Sequence, residues 1–279
     1  MYRMRGKTSI LLSVLALLFS GCSVQRFFYY PNRALYVDPE RSGLPYEIVH
    51  YPSLNGRRLY GLYFPAVGTA QGTVVHFHGN FGNVSNHFPL ALFLARHGFN
   101  VLAFDYEGYG ASEGRPSPKN LLQDGIASVR YAALRGKTEK IGVFGQSLGG
   151  FTAIQVAAQE PLVKAAVIEA AFARQRSMAR AVLKRSLWTW PLYPIAPLFL
   201  TARYDALTAV AKIVPRPIFF VHGDKDTIVP VQMSRELYAA AQDPKELWIV
   251  PGANHLECQK RAPQEYVARI TQFFAKNLR

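Results

Sequence analysis

A serine lies between two glycines in the stretch KIGVFGQSLGG, residues 140–150. A serine hydroxyl is a poor nucleophile at neutral pH, and it needs a base to remove its proton and donors to hold the oxyanion that forms. Gly145, Ser147 and Gly149 form a G-x-S-x-G pattern after an apolar run and before a helical segment, which is typical of a nucleophile elbow. We therefore predict that Ser147 is a catalytic nucleophile, and a structural turn serine is the alternative.

Candidate partners for this serine lie in two later loops. The stretch VHGDKDTIVP offers Asp224 and Asp226, and the stretch VPGANHLE offers His255. Serine, acid, histidine is one of the chain orders in which catalytic triads occur. Of the seven histidines, only His255 lies in the loop after the last apolar run, so we predict that it takes the proton of Ser147. The residues themselves leave the choice between the two aspartates open.

Short apolar runs rich in Val, Ile and Phe alternate with longer segments of helical character. The runs predict strands at residues 58–64, 73–79, 100–106, 140–145, 165–170, 217–223 and 246–252. The longer segments predict helices at residues 88–97, 119–135, 148–159, 231–241 and 263–277. This alternation predicts an α/β fold with a mainly parallel central sheet and helices on both faces, whose functional groups lie at the carboxyl ends of the strands.

Residues 172–213 interrupt this alternation. The segment has no clear strand, and it holds aromatic residues, prolines, seven basic residues and one acidic residue. We predict a small helical lid insertion over the carboxyl edge of the sheet, and a plain crossover helix with a loop is the alternative. A basic, aromatic lid could rest on anionic lipid headgroups, or it could simply be solvated.

The N-terminus has the layout of a secretory leader, with three basic residues in MYRMRGK before the apolar stretch ILLSVLALLF. This stretch of ten residues is shorter than the about 20 that span a bilayer. The end of the leader, LLFSGC, resembles the lipobox of bacterial lipoprotein precursors. The resemblance implies a signal peptide over residues 1–21, lipidation of Cys22, a tether over residues 22–44 and, from Ser23, an outer-membrane location facing the periplasm. An ordinary cleaved signal or an uncleaved anchor is the alternative.

From about residue 45 to residue 279 the sequence resembles the alpha/beta-hydrolases. HFHGNFGN, AFDYEGYGASEG, GQSLGG, HGDKDTIVP and PGANH stand in the order of that family. The H-G-N-x-G-N loop is most similar to that of serine-aminopeptidase-like hydrolases, a group that includes membrane-associated acyl-protein thioesterases. In the family pattern H-G-x-x-D-x-x-V-P the second aspartate is catalytic, which implies Asp226 rather than Asp224.

Two backbone N–H groups are expected to hold the oxyanion. One belongs to Leu148, the residue after the nucleophile, and by the resemblance the other belongs to Asn80 in the loop after the HFHG strand, with Phe81 as the alternative. We expect the side chain of Phe81 to line an acyl pocket. We expect His78 and Asp105 to have structural roles.

The resulting prediction is a serine hydrolase that cleaves carboxylic esters or thioesters with an apolar acyl chain and is held at a membrane by a lipid anchor. A peptidase or amidase of the same fold, and a non-catalytic lipoprotein that binds lipid or protein, are the alternatives.

The sequence carries no zinc signature, P-loop or dinucleotide fingerprint, so we expect no metal and no cofactor. The net charge of +14 would suit nucleic acid, but no recognised motif supports such a partner, and we expect none. The second cysteine, Cys258, is expected to be a buried, inert thiol.

Overall fold

The computed structural model describes residues 29–184 and 202–278. Its centre is an eight-stranded sheet in the order β10-β9-β8-β7-β4-β6-β3-β2. The strands of this sheet are β2 (Glu47–Pro52), β3 (Arg58–Phe64), β4 (Gly72–Phe77), β6 (Phe99–Asp105), β7 (Ile141–Gln146), β8 (Val163–Glu169), β9 (Ile218–Gly223) and β10 (Lys245–Val250). Two strands of two residues each, β1 (Tyr30–Pro31) and β5 (Phe81–Gly82), pair with each other in parallel.

The sheet is parallel from β10 to β6, while β3 and β2 continue it in antiparallel pairing. The helices are α1 (Val84–His87), α2 (Leu92–Arg96), α3 (Pro118–Gly136), α4 (Leu148–Gln159), α5 (Gln175–Leu183), α6 (Ala206–Val210), α7 (Gln232–Ala240), α8 (Cys258–Arg261) and α9 (Pro263–Asn277). One face of the sheet packs against α3, α4, α6 and α7, and the other packs against α2 and α9. Because both faces are covered, β4, β7 and β9 are buried along their whole length.

The predicted fold class is confirmed, and each predicted strand lies within two residues of a strand of the central sheet. The helix predicted at residues 88–97 is confirmed only over its second half, Leu92–Arg96. A 3-10 helix, Phe88–Leu90, occupies its first turn, and α2 begins only at Leu92. The break lies at Ala91, a turn residue between the 3-10 helix and α2, whereas Pro89 occupies the first turn, where a proline is tolerated.

Part of the predicted lid insertion is described, and it contains α5 and α6. Residues 185–201 lie outside the described residues, as do the predicted signal peptide and Cys22. Cys258 is buried, as expected. Within residues 29–184 and 202–278, no helix is long and apolar enough to cross a lipid bilayer.

Candidate active site

Ser147 joins β7 to α4 in a strained conformation. Its φ of 55° and ψ of −116° are a combination that a residue with a side chain rarely adopts. The neighbouring glycines make this turn possible, because a Cβ on Gly145 would lie 2.6 Å from the carbonyl oxygen of Gly149, and a Cβ on Gly149 would collide with the carbonyl of Phe77. The turn therefore presents the hydroxyl at the carboxyl edge of the sheet, with the N-terminus of α4 directly behind it.

Two other side chains are joined to this hydroxyl by hydrogen bonds. Nε2 of His255 lies 3.1 Å from Oγ of Ser147, and Nδ1 of His255 lies 2.7 Å from Oδ2 of Asp226. The three residues follow β7, β10 and β9, so their meeting depends on the order of the strands in the sheet. When Nδ1–H donates to the carboxylate, the lone pair on Nε2 is left to accept the serine proton.

The carboxylate of Asp226 is fully buried and surrounded by donors. The N–H groups of Ile228 and Val229 donate to Oδ1 at 2.7 and 2.8 Å, and Nε2 of His222 lies 3.1 Å from Oδ2. Burial raises the pKa of Asp226, but the hydrogen bonds from His222, His255 and the Val229 N–H outweigh it and hold the pKa well below the ordinary value. Asp226 is therefore ionised across the neutral range and favours the protonated form of the imidazole that faces it.

Asp224, the other candidate acid, has a different partner. Its Oδ1 accepts a hydrogen bond of 2.6 Å from the N–H of Gly252. Oδ1 of Asn254 accepts from the N–H groups of Thr227 and His255 at 2.9 and 2.8 Å. These contacts fasten the loop after β9 to the loop after β10, so Asp224 has a place in loop packing, and Asp226 is the aspartate that contacts the imidazole.

The two candidate oxyanion donors lie on either side of the elbow. Leu148 is the first residue of α4, where an N–H group has no acceptor within the helix. Asn80 follows β4, and the loop packs closely on α4, because a Cβ on Gly149 would lie 2.6 Å from the carbonyl oxygen of His78. Oδ1 of Asn80 accepts from the hydroxyl of Tyr109 at 2.8 Å, which fixes the side chain of this loop residue.

An N-terminal segment, residues 29–36, lies against the same loop, and we call it the strap. Its strand β1 pairs with β5 in the loop. Nδ2 of Asn83 donates to the carbonyl oxygens of Asn32 and Ala34 in the strap, at 2.9 and 2.8 Å. The strap therefore braces the segment that carries Asn80.

Three buried histidines pack around this loop. Burial lowers the pKa of His76 to about 3, and it also lowers the pKa values of His78 and His87. These imidazoles are therefore neutral at pH 7, and Nε2 of His87 donates to the carbonyl oxygen of Phe81 across 2.9 Å. Burial raises the pKa of Asp105, which lies 3.6 Å from His78, to about 7.

A buried polar cluster lies beneath the nucleophile. Oε2 of Glu169 accepts from Nε2 of Gln146 and from the hydroxyl of Tyr266, both at 2.7 Å. Oε1 of Gln146 lies 3.0 Å from Nε2 of His76. The N–H of Ser147 donates to the carbonyl oxygen of Glu169 at 2.9 Å. These contacts tie the elbow to β8, β4 and α9 and limit its freedom to relax.

Sequence reasoning did not find two of these contacts. It treated His222 as a strand-end residue, although its position four residues before Asp226 in HGDKD was a usable signal. Residues 22–44 were predicted to form a tether that packs against the body, but nothing local indicated that Asn83 would bind it. Phe81, expected to line an acyl pocket, lies on the rim of the site with 58% of its surface exposed.

Comparisons with known proteins show the family of this chain. A family model described as serine aminopeptidase, S33, matches residues 68–201. Protein YfhR of Escherichia coli K12 is 31% identical over 239 residues, which cover 83% of this chain and 80% of YfhR. The alpha/beta hydrolase domain-containing protein WAV2 of Arabidopsis thaliana is 28% identical over 256 residues, which cover 86% of this chain and 82% of WAV2.

Among solved structures, an esterase of Pyrococcus furiosus, Pf2001, superposes with a TM-score of 0.77 at 23% identity and covers 90% of this chain and 99% of that one. At this identity the likeness concerns the fold. The chain belongs to the alpha/beta-hydrolase family, as its motifs predicted. As a member of that family it has a hydrolase fold.

Proposed function

We propose that this chain is a serine hydrolase that cleaves carboxylic ester or thioester bonds through an acyl-enzyme on Ser147. The observation that carries the proposal is the hydrogen-bonded chain from Ser147 through His255 to Asp226, with contacts of 3.1 and 2.7 Å. This chain supplies a nucleophile, a base and a group that orients the base, which are the side chains that acyl transfer requires.

In the first step, Oγ of Ser147 attacks the carbonyl carbon while Nε2 of His255 takes the hydroxyl proton. The N–H groups of Leu148 and Asn80 hold the negative charge that develops on the carbonyl oxygen. The bond to the alcohol or thiol then breaks, and His255 returns the proton to that leaving group. Water attacks the acyl-enzyme in the same manner, and the carboxylic acid and free Ser147 are released.

The rim of the site favours an apolar acyl group over the amine of a peptide. Phe81 lies beside Asn80 with more than half of its surface exposed. The segment after β8 is also basic, with Arg174, Arg176 and Arg180, although Arg174 pairs with Glu236 at 3.1 Å and Asp205 interacts with both Arg174 and Arg176. The match to a family described as serine aminopeptidase makes peptidase or amidase activity the second candidate.

A fluorophosphonate probe, which reacts with activated serines, tests the proposal directly. We expect the wild type to be labelled and Ser147→Ala to remain unlabelled. Nitrophenyl esters and acyl thioesters of graded chain length, together with aminoacyl amides, then define the substrate, and we expect turnover to rise with acyl length. An unlabelled wild type would favour the non-catalytic alternative, and preferred turnover of the amides would favour the peptidase.

We also propose that the protein is anchored in the bacterial outer membrane, facing the periplasm, by acylation of Cys22. The support is the basic and apolar leader followed by LLFSGC. An alkyne analogue of palmitate should label the wild type and Cys258→Ala, but not Cys22→Ala. If Cys22→Ala is still labelled, Cys22 is not the acylated residue.

A further inference from the structure

The N-terminal chain enters the fold at the rim of the candidate active site. Tyr29 is buried, and Tyr30 pairs with Phe81 between β1 and β5. Cys22 precedes Tyr29 by seven residues, which span at most about 25 Å when fully extended. The opposite edge of the sheet lies one strand length, about 20 Å, from the carboxyl edge at which Tyr29 enters. An anchor at Cys22 would therefore keep the carboxyl edge of the sheet within about 25 Å of the bilayer.

The strap and the loop beside it expose a continuous apolar patch. The exposed fractions of its side chains are 57% for Tyr30, 67% for Leu35, 39% for Tyr36 and 58% for Phe81. The ring centroids of Tyr36 and Phe81 lie 6.0 Å apart. Contiguous exposed apolar surface marks an interaction site, and tyrosine is enriched where proteins meet the membrane interface.

Basic side chains flank this patch. Arg33 is exposed in the strap, and Arg176, Arg180 and Lys184 are exposed in or just after α5. Since β8 and β4 lie on either side of β7, α5 and the strap lie on either side of Ser147 at the same edge of the sheet. Basic residues in this position are attracted to the anionic headgroups of a bilayer.

We propose that the carboxyl edge of the sheet is a membrane-docking surface. The patch of the strap and Phe81 enters the headgroup region of an anionic bilayer, α5 lies on the headgroups, and the mouth of the site faces the lipid. A substrate whose acyl chain lies in the bilayer would then reach Ser147 without passing through water. The inference rests on the proposed anchoring, and its consequence for the substrate rests on the proposed hydrolysis.

The test uses the full-length acylated protein in vesicles of phosphatidylethanolamine and phosphatidylglycerol. A bimane label is placed on Leu35→Cys or on the control Leu134→Cys, whose leucine is 79% exposed near the end of α3, at the opposite edge of the sheet. Cys258 is only 1% exposed and should not compete for the label. Because docked residues lie within the headgroup and acyl boundary, brominated lipid should quench the label at position 35 about twofold or more, and the label at position 134 much less.

Charge reversal supplies the second arm. The double change Arg176→Glu and Arg180→Glu should weaken quenching at position 35, while Lys276→Glu near the end of α9, at the far edge, should not. Equal quenching at positions 35 and 134 would overturn the proposal. Absence of quenching at both positions would also overturn it, and is the result expected if the patch binds another protein.

Vesicle flotation and turnover of a soluble ester in detergent separate the linked proposals. Protein that fails to float with the vesicles would count against both the anchor and the docking surface. Quenching at position 35 without ester turnover would support docking and count against hydrolysis alone.

Discussion

Nε2 of His222 lies 3.1 Å from Oδ2 of Asp226, the same oxygen that Nδ1 of His255 contacts at 2.7 Å. Nε2 of His222 also lies 2.9 Å from the carbonyl oxygen of Val229, and its Nδ1 lies 2.6 Å from the hydroxyl of Ser234. The tautomer that satisfies all of these contacts carries its proton on Nε2 and accepts from the serine at Nδ1. His222 is thus a fixed second donor that holds the carboxylate in line with His255.

His222→Phe should therefore lower kcat without unfolding the protein. The change removes one hydrogen bond to a buried charge, and such a bond contributes about 1.5–3 kcal/mol, or roughly 10-fold to 100-fold in rate if it acts in the transition state. Ser234→Ala is the matched control, because it leaves both donors to Asp226 in place. Steady-state kinetics on a soluble ester measures the effect, and an unchanged kcat would show that His222 only fills space.

The two aspartates of HGDKD should respond very differently to amidation. Asp226→Asn leaves the imidazole of His255 in the wrong tautomer, and we expect kcat to fall by about 10⁴. Asp224→Asn changes only the acceptor of the Gly252 N–H and should keep most of the activity. The kcat values of the two variants are compared with that of the wild type. A larger loss of kcat in Asp224→Asn than in Asp226→Asn would reverse the assignment of the acid.

The acid limb of the pH profile should reflect one proton. The pKa of Asp226 is lowered, so its contribution is present at neutral pH and is lost only in strong acid. Between neutral pH and mild acid, Asp226 should therefore add no proton to the acid limb of the profile. The logarithm of kcat/KM should fall with unit slope, whereas a slope of two would mean that a second group, such as Asp226, titrates in the same range.

Asn83→Ala should slow catalysis by loosening the strap. The change removes the two hydrogen bonds from Nδ2 to the carbonyl oxygens of Asn32 and Ala34, and it also removes Oδ1, which caps α1 by accepting from the N–H of Ser85. Because the strap braces the loop that carries Asn80, we expect kcat to fall about 10-fold, equivalent to about 1.4 kcal/mol. Asn277→Ala, which breaks a bond of 2.8 Å to the carbonyl of Phe273, is the control. If both variants lose stability alike and neither loses kcat, the strap is only structural.

Asp124 should make the stability of the protein depend on pH. Burial raises its pKa from 3.8 to about 7, although it accepts hydrogen bonds from Ser53 and from the N–H of Glu107. Because the unfolded chain loses this proton at lower pH than the folded chain, the contribution is complete below about pH 4 and is lost as the pH rises to about 7. Relative to Asp124→Asn, the wild type should lose up to about 4 kcal/mol of unfolding free energy over this range. Urea denaturation at both ends of the range measures this difference, and a constant difference would contradict the raised pKa.

Much of this molecule follows from local sequence signals. Apolar runs bounded by Gly, Asp and His marked the strands of the parallel sheet, and the glycines around Ser147 marked the elbow, because strand burial and a sharp turn each depend on neighbouring residues. The position of His255 after the last apolar run indicated the base, and the family motif then indicated Asp226 as the acid. The helix predicted at residues 88–97 formed as an α-helix only over Leu92–Arg96.

The tertiary structure decided what lies between distant segments. The 3.1 Å contact between Ser147 and His255 joins residues 108 apart in sequence, and the bond from Asn83 to Asn32 joins residues 51 apart. The contacts of His222, and the tautomer that they require, depend on how the loop after β9 packs against it. Such contacts arise from the order of strands and the packing of loops, which no short stretch of residues encodes by itself. The sequence therefore indicated Ser147, Asp226 and His255 as partners, while the distances between them and the partners of His222 and Asn83 depended on the fold.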